Sequence, residues 1–288
     1  AMIHMVNHLY KLTGCNNICV GGGVALNSVA NGKISANSSF DNVYVMPASG
    51  DSGTSLGAAL YGYYGIQKMP RNQPRPIPAA YLGKTYSNDS ILKVLEECQD
   101  RLVWKEMDDH TLCENAAENL YHNQILGWFQ GRSEFGPRAL GCRSILANAC
   151  HPDMKDILNA RVKFREEFRP FAPSVHVEAA KEYFDMDCEE TAYMLKVYPV
   201  KEEMQKVLPS ITHVDGSARI QTVSRENNEI YYHLIESFKR RSGVPVILNT
   251  SFNVKGEAIV ETPKDAVYCF LSTNIDVLYI GNYEVFKK

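Results

Sequence analysis

One short segment combines arginines with chain-breaking residues in a way that suits an anion. Residues 131–144 read GRSEFGPRALGCRS and place Arg132, Arg138 and Arg143 among three glycines and a proline. Glycine and proline fix the backbone of such a segment, and the planar guanidinium group matches two-oxygen anions such as phosphate or carboxylate. A solvated helix face would carry interleaved acids, whereas Glu134 is the only acid here. The segment therefore favours an anion site over an ordinary surface turn, which also uses glycines and arginines.

A second segment places small polar side chains at the end of a predicted core strand. Residues 244–248 (VPVIL) are apolar and rich in β-branched residues, which indicates a buried strand. Asn249, Thr250 and Ser251 follow at once. In open α/β sheets, ligands bind beyond the carboxyl ends of the strands. We therefore predict that these three residues face a ligand; the alternative is a capped turn with local hydrogen bonds.

Two further cations stand in segments whose backbone is restricted. The stretch 163–173 (KFREEFRPFAP) alternates cations with aromatic residues, a pattern that also occurs where proteins stack nucleic-acid bases. Its two glutamates oppose that interpretation, and Pro170 and Pro173 predict a stiff, extended chain that holds Arg169 in place. Arg219 follows an Asp-Gly turn and precedes a β-branched run, so we expect it near the start of a strand.

The N-terminal part carries a different anion-binding pattern. Residues 21–23 are three glycines between a predicted strand and a predicted helix, which lets a phosphate or a nucleoside approach the backbone at a helix N-terminus. The ASGDSG segment at residues 48–53 supports the same interpretation. His4 and His8 have the i, i+4 spacing of a metal-chelating pair, although we favour a solvent-facing or packing role for them.

These segments need a scaffold of helices and strands to position them. Hydrophobic periodicity and capping residues predict helices at residues 2–13, 25–31, 53–64, 89–97, 112–122, 153–162, 230–241 and 263–271. Predicted strands cover residues 18–20, 43–46, 125–129, 192–197, 220–223, 244–248, 277–280 and 283–286. Residues 69–82 contain four prolines and predict a linker between domains at 1–68 and 83–288.

Composition and charge narrow the class of protein. With 288 residues, 45% of them hydrophobic, the chain can bury a substantial core in more than one unit. A net charge of −3 argues against general affinity for nucleic acid. Eight cysteines are scattered without a CxxC pair, as in reduced cytosolic proteins. Because the sequence shows no apolar run of membrane-spanning length and no signal peptide, we expect a cytoplasmic protein without a membrane partner.

Together these motifs resemble those of one enzyme family. FGPRALGCRSILA, KFREEFRPFAPSV and VILNTSFNVKGEAIVETPKDA look like the C-terminal domain of the NodU/CmcH-type O-carbamoyltransferases. The earlier ICVGGGVALNSVANGKI and PASGDSGTSLGAAL look like the second half of the Kae1-like domain of the same enzymes. The resemblance implies an α/β (α+β) fold, in which a partial actin-like (Kae1-like) lobe precedes a YrdC-like domain with a twisted mixed sheet.

The resemblance also implies a reaction. Carbamoyl phosphate would lose phosphate to give carbamate, which attacks the α-phosphorus of ATP and forms carbamoyl-adenylate and pyrophosphate. The complete enzyme would then pass the carbamoyl group to the hydroxyl of a small-molecule acceptor. Fixed cations would position these polyanions and stabilise the charge that develops on them. The residues at the family's catalytic positions are Arg138, Lys163, Arg169, Arg219, Asn249 and Ser251.

Within this set the resemblance implies separate roles. We expect Arg138 and Arg169 to clamp carbamoyl phosphate, and Lys163 to contact a phosphate as a point charge. Asn249 and Ser251 would read the carbamoyl amide or hold the α-phosphate. The residues predicted to contact the nucleotide are Gly22, Gly23, Asn27, Thr250 and Arg143, the last with the alternative role of capping the carbonyl groups of its own loop.

Metal ions are implied by the same resemblance. ATP chemistry predicts Mg²⁺. In the family, an aspartate at the position of Asp51 completes a divalent metal site, expected to be iron, that two histidines of a preceding lobe begin. Because no such lobe stands in this sequence, we expect a C-terminal fragment with an incomplete metal site and no complete transfer to an acceptor.

Two functions of other classes stay open. One is an RNA-binding subunit of the kind that serves tRNA threonylcarbamoylation, which the net acidity opposes. The other is a non-catalytic sensor of nucleotide or carbamoyl phosphate, which a cluster of cations fits equally well. Release of pyrophosphate that requires both ATP and carbamoyl phosphate distinguishes an enzyme from a sensor.

Overall fold

The first part of the chain is a small layered unit. The computed structural model describes residues 1–70, 80–166 and 169–288. Strands β1 and β2 pair in parallel, and α2 forms the crossover between them; α3 continues in wider turns to Ile66. The elements of this unit are α1 (Met2–Thr13), β1 (Asn17–Val20), α2 (Ser28–Asn37), β2 (Asn42–Val45) and α3 (Thr54–Leu60). Its small core contains Val6, Ile18, Ile34 and Phe40.

The second part is built around one eight-stranded mixed sheet. Its strands are β3 (Leu102–Glu106), β4 (Leu126–Phe129), β5 (Arg143–Asn148), β6 (Ala172–His176), β9 (Gln221–Val223), β10 (Val246–Ser251), β11 (Val277–Ile280) and β12 (Tyr283–Lys287). The strand order is β3-β12-β11-β4-β5-β10-β6-β9, with β4–β11 and β6–β9 parallel and the other pairs antiparallel. A separate antiparallel pair is formed by β7 (Val197–Pro199) and β8 (Ser217–Arg219).

Helices cover both faces of the large sheet. They are α4 (Asn88–Glu97), α5 (Asp109–Tyr121), α6 (Met154–Leu158), α7 (Ala180–Tyr183), α8 (Glu202–Gln205), α9 (Glu229–Ser242) and α10 (Pro263–Ser272). One hydrophobic cluster unites α5 and α9 with one face of the sheet, and a larger cluster unites α4, α6 and α10 with the other. The sheet is therefore the middle layer of three.

The apolar runs of the central strands follow from this double cover. Successive side chains of a strand point to opposite faces, so a strand buried on both faces carries apolar residues without alternation. In β11, Val277 and Tyr279 belong to one cluster, whereas Leu278 and Ile280 belong to the other. The core thus holds rigidly the strands whose ends carry the predicted site residues.

The two parts contact each other through α2. The side-chain amide of the buried Asn31 donates to the carbonyl oxygen of Leu195 at 3.0 Å. At Gly32 the helix approaches the second part so closely that an added Cβ would lie 2.3 Å from the carbonyl oxygen of Val197. The amino end of α2 is therefore placed against the second part of the chain.

The mixed α/β class predicted from the sequence is confirmed, with local corrections. The strand predicted at residues 192–197 is wrong, because the strand there is β7, beginning at Val197; Met194 has a left-handed φ of 54° that interrupts an extended chain. The predicted helix at residues 25–31 begins instead at Ser28. Strands β3, β5, β6 and β8 were not predicted; β5 begins inside the arginine segment and β6 contains Pro173.

The predicted linker at residues 69–82 falls mainly on residues 71–79, which lie outside the described residues. The boundaries of the two predicted domains therefore stay predictions. Among the helices within the described ranges, none combines the length and the apolarity needed to cross a bilayer.

Candidate active site

Residues predicted from separate motifs line one cavity of about 430 Å³. The predicted site residues in its wall are Arg138, Arg169, Arg219, Asn249, Thr250 and Ser251. Arg165 and His213, which were not predicted, also line it, together with Ser28 and Val29 from the first turn of α2. The fold thus brings five distant segments of the second part, including Met194 and Val197, and one helix of the first part to the same place.

The polar segment after the apolar run belongs to strand β10 itself. The predicted strand ended at Leu248, but β10 runs to Ser251 and pairs there with Ser144 of β5. Pairing with a neighbouring strand keeps the backbone extended and excludes the alternative of a capped turn at these residues. Because side chains alternate along a strand, Asn249 and Ser251 point to the same face.

The arginine segment is shaped by Glu134. One carboxylate oxygen of Glu134 accepts hydrogen bonds from the backbone N–H groups of Leu140 at 2.6 Å, Cys142 at 2.8 Å and Arg143 at 3.3 Å. Burial raises the pKa of Glu134, while these N–H donors act in the opposite direction. The carboxylate therefore holds the loop that carries Arg138, and its contacts do not point to a metal.

Arg138 enters the cavity with few acceptors. Its Nε is buried and has no hydrogen-bond partner within the described residues, and Nη2 donates to the carbonyl oxygen of Leu26 at 3.4 Å. Burial lowers the pKa of Arg138. Burying a cation without acceptors costs free energy, and an anionic ligand would supply the missing acceptors.

Arg219, like Arg138, has few hydrogen-bond acceptors, and it lies close to other cations. Burial, followed by the charges of Arg138 and Arg165, lowers the pKa of Arg219 to about 9. Its Nε is likewise buried without a partner in the part of the chain that the structure describes. No ion pair joins any of these three guanidinium groups to a carboxylate among the described residues. Among the described residues, these three arginines therefore carry positive charge without a paired carboxylate.

Arg169 and Arg165 reach the cavity from its more exposed side. Arg169 forms an ion pair with Glu166 at 3.2 Å, and its side chain is 53% exposed. The Nε of Arg165 donates to Asn159 at 2.9 Å, and its guanidinium carbon lies 4.6 Å from the ring centroid of Phe171. Arg165 is therefore held in place by packing, whereas a ligand would compete with a carboxylate for Arg169.

Lys163 lies behind the cavity wall rather than in it. Its buried Nζ donates to the carbonyl oxygen of Ser251, to the carbonyl oxygen of Asn253 at 3.0 Å and to the side-chain oxygen of Asn253 at 2.9 Å. Burial, followed by the charge of Arg165, lowers the pKa of Lys163 to about 7. The predicted contact of Lys163 with a phosphate stays a prediction. The hydrogen bonds that Lys163 makes in the structure hold the end of β10 in place.

The guanidinium group of Arg143 is occupied by hydrogen bonds to nearby backbone carbonyl oxygens. Its two terminal nitrogens donate to four backbone carbonyl oxygens, at distances of 3.0 to 3.3 Å, and its guanidinium carbon lies 3.5 Å from the ring centroid of Phe129. The side chain is fully buried. This arrangement favours the carbonyl-capping role over the predicted contact with a nucleotide.

The residues predicted in the first part do not line the cavity. The side chain of Asn27 caps α2 by accepting from the backbone N–H of Ala30, and the N–H of Gly22 donates to Ser49 at 2.7 Å. Gly22, Gly23 and Asn27 are exposed, so their predicted nucleotide contacts stay predictions.

Within the described ranges, no metal site is assembled around Asp51. This residue is exposed, and the described residues contain no group of three His, Cys, Asp or Glu side chains that could hold a metal ion. His4 and His8 are exposed on α1, as expected for a solvent-facing role. A metal ligand at Asp51 therefore stays a prediction, because the residues present do not form a complete site.

Sequence reasoning missed Arg165, His213 and the contribution of α2. Arg165 lies in the same segment as the predicted residues Lys163 and Arg169. The sequence showed that it is a cation but not that its side chain faces the cavity. His213 precedes the Asp-Gly turn before Arg219; its Nδ1 lies 3.2 Å from the Ser217 hydroxyl. Burial lowers the pKa of His213, which favours a neutral imidazole. Neither signal indicated which side chains would share a cavity.

Two protein-family models match the chain. The model described as the carbamoyltransferase N-terminus matches residues 1–60, and the model described as the carbamoyltransferase C-terminus matches residues 117–287. The nodulation protein NolO of Bradyrhizobium diazoefficiens is 42% identical over 291 residues, which cover 100% of this chain and 52% of that protein. Nodulation protein U of Rhizobium fredii is 32% identical over 270 residues, which cover 90% of this chain and 42% of that protein.

An uncharacterised protein of Synechocystis sp. is 40% identical over 309 residues, which cover 99% of this chain and 50% of that protein. This chain thus spans about half the length of the curated relatives it matches. Two solved structures of HypF are also similar. HypF of T. kodakarensis has a TM-score of 0.45 at 18% identity and covers 65% of this chain and 22% of that one.

Full-length HypF in the phosphate- and nucleotide-bound form has a TM-score of 0.44 at 16% identity and covers 86% of this chain and 36% of that one. Both scores lie below 0.5, so neither structure bears on the chemistry of the cavity. The match of the C-terminal family model over more than half of the chain is decisive: the chain belongs to the carbamoyltransferase family.

Proposed function

We propose that the cavity binds carbamoyl phosphate and ATP and forms carbamoyl-adenylate. Membership of the carbamoyltransferase family supports the class of reaction. One observation carries the proposal: several guanidinium groups share one cavity with Asn249 and Ser251. Two of these groups, those of Arg138 and Arg219, have no carboxylate partner within the described residues. An anion with several charges is the ligand that such a group stabilises best.

The proposed reaction has two steps. Water and carbamoyl phosphate give carbamate and inorganic phosphate, with release of a proton. A carbamate oxygen then attacks the α-phosphorus of ATP, and the bond to the β-phosphate breaks to release pyrophosphate. Negative charge moves onto leaving and non-bridging oxygens in each step, so fixed cations in a partly dehydrated cavity stabilise the transition states.

The positions of the arginines suggest which part of each substrate they would contact. Arg138 and Arg219, which are the least solvated, would hold the phosphate of carbamoyl phosphate, so that Arg219 joins the predicted pair of Arg138 and Arg169. Arg169 lies at the exposed side, where exchange of its partner Glu166 for a ligand phosphate costs little. Asn249 and Ser251, on one face of β10, would contact the carbamoyl group or the α-phosphate.

Lys163 supports this wall from behind. Because its ammonium group is hydrogen-bonded to backbone and side-chain oxygens of Ser251 and Asn253, it holds the end of β10 at the cavity. We retain the prediction that the protonated form of Lys163 also acts on a nearby ligand phosphate, through space rather than by replacing these hydrogen bonds.

For the complete protein we propose transfer of the carbamoyl group to a hydroxyl of a small-molecule acceptor. Mg²⁺ would accompany ATP and neutralise charge on its phosphates. We retain only the expectation that Asp51 would contribute one ligand to a divalent metal site of the complete protein, expected to be iron, and we derive no step through that metal. Each of these statements concerns a protein about twice as long as this chain, as the matched relatives are.

The test is release of pyrophosphate by the purified chain. We expect release only when ATP, Mg²⁺ and carbamoyl phosphate are all present, and none when ATP or carbamoyl phosphate is omitted. Binding of both ligands without release of pyrophosphate would instead indicate a sensor. Salt-dependent binding of tRNA, with no response to carbamoyl phosphate, would favour the RNA-binding alternative.

A further inference from the structure

The hydrogen bonds of the Asn249 side-chain amide assign its orientation in the structure. Asn249 is 1% exposed and lines the cavity. Its Nδ2 donates to the side-chain oxygen of Gln221 at 3.0 Å, to the hydroxyl of Ser174 at 3.1 Å and to the carbonyl oxygen of Ala139 at 3.3 Å. A backbone carbonyl oxygen can only accept, so the nitrogen of the Asn249 amide faces Ala139 and the oxygen faces away from it.

Gln221 is oriented by the same logic. Its Nε2 donates to the carbonyl oxygen of Leu140 at 2.8 Å, which leaves its oxygen to accept from Ser174 at 2.7 Å and from Asn249. Gln221 and Ser174 are opposite each other on the paired strands β9 and β6, and both are buried. A continuous set of buried hydrogen bonds therefore runs from the loop that carries Arg138 to the Asn249 amide.

The Oδ1 atom of Asn249 is buried and has no partner within the described residues. The guanidinium groups of Arg138 and Arg219 can only donate. A buried acceptor without a donor lowers stability, and a ligand that supplies an N–H removes this penalty. An amide nitrogen can do so and a methyl group cannot.

We propose that Gln221 and Ser174 are positioning residues that make the cavity selective for an acyl phosphate bearing an amide group. They act by holding Oδ1 of Asn249 toward the ligand. This inference rests on the proposed function, because it takes the cavity to be the carbamoyl phosphate site. Acetyl phosphate has the same phosphate group and nearly the same shape as carbamoyl phosphate but carries CH₃ in place of NH₂, so it isolates this one hydrogen bond.

The experiment is calorimetric titration of the full chain with carbamoyl phosphate, acetyl phosphate and inorganic phosphate. The unsubstituted chain is expected to bind carbamoyl phosphate about tenfold or more tightly than acetyl phosphate, as follows from leaving a buried acceptor unpaired. In Gln221→Leu this ratio should fall to about twofold, and in Ser174→Ala to an intermediate value, because the Asn249 amide can then rotate. The affinity for inorganic phosphate should not change in either variant.

Thr222→Val is the matched control. Thr222 is buried on the same strand as Gln221, and its hydroxyl accepts from the backbone N–H of Thr191, away from the Asn249 network. This substitution should lower the unfolding temperature and leave the ratio of the two acyl phosphate affinities unchanged. A ratio that falls equally in Thr222→Val would show that general loosening of β9 explains the effect and would overturn the assignment.

The outcomes separate the two proposals. If the unsubstituted chain does not bind carbamoyl phosphate, the proposed function is wrong. If it binds carbamoyl and acetyl phosphate equally, or if the ratio survives in folded Gln221→Leu, carbamoyl phosphate binding stands and the positioning role is wrong. Should Gln221→Leu fail to fold, Ser174→Ala, which removes one hydroxyl and little volume, decides the question by the same ratio.

Discussion

Individual side chains at the cavity are placed where water cannot fully solvate their charges. Arg138 and Arg219 each have a buried Nε without a partner in the described part of the chain, and the pKa of Arg219 is lowered to about 9 by burial and by neighbouring cations. Such residues are unfavourable for the empty protein and favourable for a bound polyanion. Functional sites commonly lower the stability of the unliganded protein in this way.

Replacing Arg138 with alanine is expected to weaken carbamoyl phosphate binding by about 2 kcal/mol or more, because a charge-assisted contact in a dehydrated cavity is lost. Isothermal titration measures the change. Arg132→Ala is the matched control, since Arg132 belongs to the same segment but is exposed and does not line the cavity. Equal affinities of the unsubstituted chain and Arg138→Ala would remove Arg138 from the site.

Lys163 makes the stability of the chain depend on pH in the alkaline range. Burial, followed by the charge of Arg165, lowers its pKa from 10.5 to about 7. Between these values the unfolded chain holds the proton and the folded chain does not, so the free energy of unfolding rises with pH. Below this range both states are protonated, and the penalty for burying the charge is fully present.

Lys163→Met removes this dependence. The free energy of unfolding of the unsubstituted chain, minus that of the variant, should therefore increase as pH rises from about 7 toward 10.5. Urea denaturation at several pH values within this window measures the difference. A difference that stays constant, or that decreases with pH, would show that Lys163 remains protonated in the folded chain.

At the scale of elements, the loop at residues 131–144 is the part that requires a specific sequence. Glu134 ties its backbone together, and Gly141 has a φ of 97°, which favours glycine. An added Cβ at Gly141 would also lie 2.3 Å from the ring of Tyr231, which is fully buried in α9. The loop that carries Arg138 is thus packed directly onto a helix.

Gly141→Ala is expected to destabilise the chain by about 3 kcal/mol or more, from the sum of a left-handed backbone and overpacking against Tyr231. Gly131→Ala is the control, because Gly131 has a φ of 54° but no atom within 4 Å of an added Cβ. It should cost only about 1 kcal/mol. Urea denaturation compares the two variants, and equal losses would contradict the predicted clash.

At the scale of the whole molecule, the cavity depends on contact between the two parts of the chain. Its wall includes Ser28 and Val29 at the amino end of α2, in addition to residues around the large sheet. That position is fixed by the close approach of Gly32 to Val197 and by the hydrogen bond of Asn31 to Leu195. Ligand binding should therefore respond to changes at this contact.

Gly32→Ala tests this dependence. An alanine in a helix normally stabilises by about 1 kcal/mol relative to glycine. Here the added methyl group meets the carbonyl of Val197, so we expect a loss of stability and a weaker affinity for carbamoyl phosphate. The control is Gly57→Ala in α3, where nothing lies within 4 Å; it should stabilise the chain and leave the affinity unchanged. A stabilised Gly32→Ala variant with normal affinity would contradict the contact.

Local sequence was sufficient to predict most helices and strands and to identify the charged residues of the site. Periodicity and caps predicted α4, α9 and α10 to within a few residues, because helix ends depend on neighbours a few positions away. The same reasoning failed at Met194, which has a left-handed φ and is buried against residues far away in the sequence. It also missed β6, because a proline in a paired strand contradicts local propensity.

Residue types and their spacing were enough to predict a set of arginines, a buried strand and a short amide-and-hydroxyl segment in a chain that resembles the carbamoyltransferases. The contacts made by the folded chain were needed to show that Arg165 and the first turn of α2 share the cavity with them and that Arg143 does not. The same contacts leave the amide oxygen of Asn249 without a partner among the described residues. The difference is one of distance along the chain. Residue type and local backbone preference act over a few positions, whereas burial, repulsion between cations and the direction of an amide depend on groups that folding brings from far along the chain.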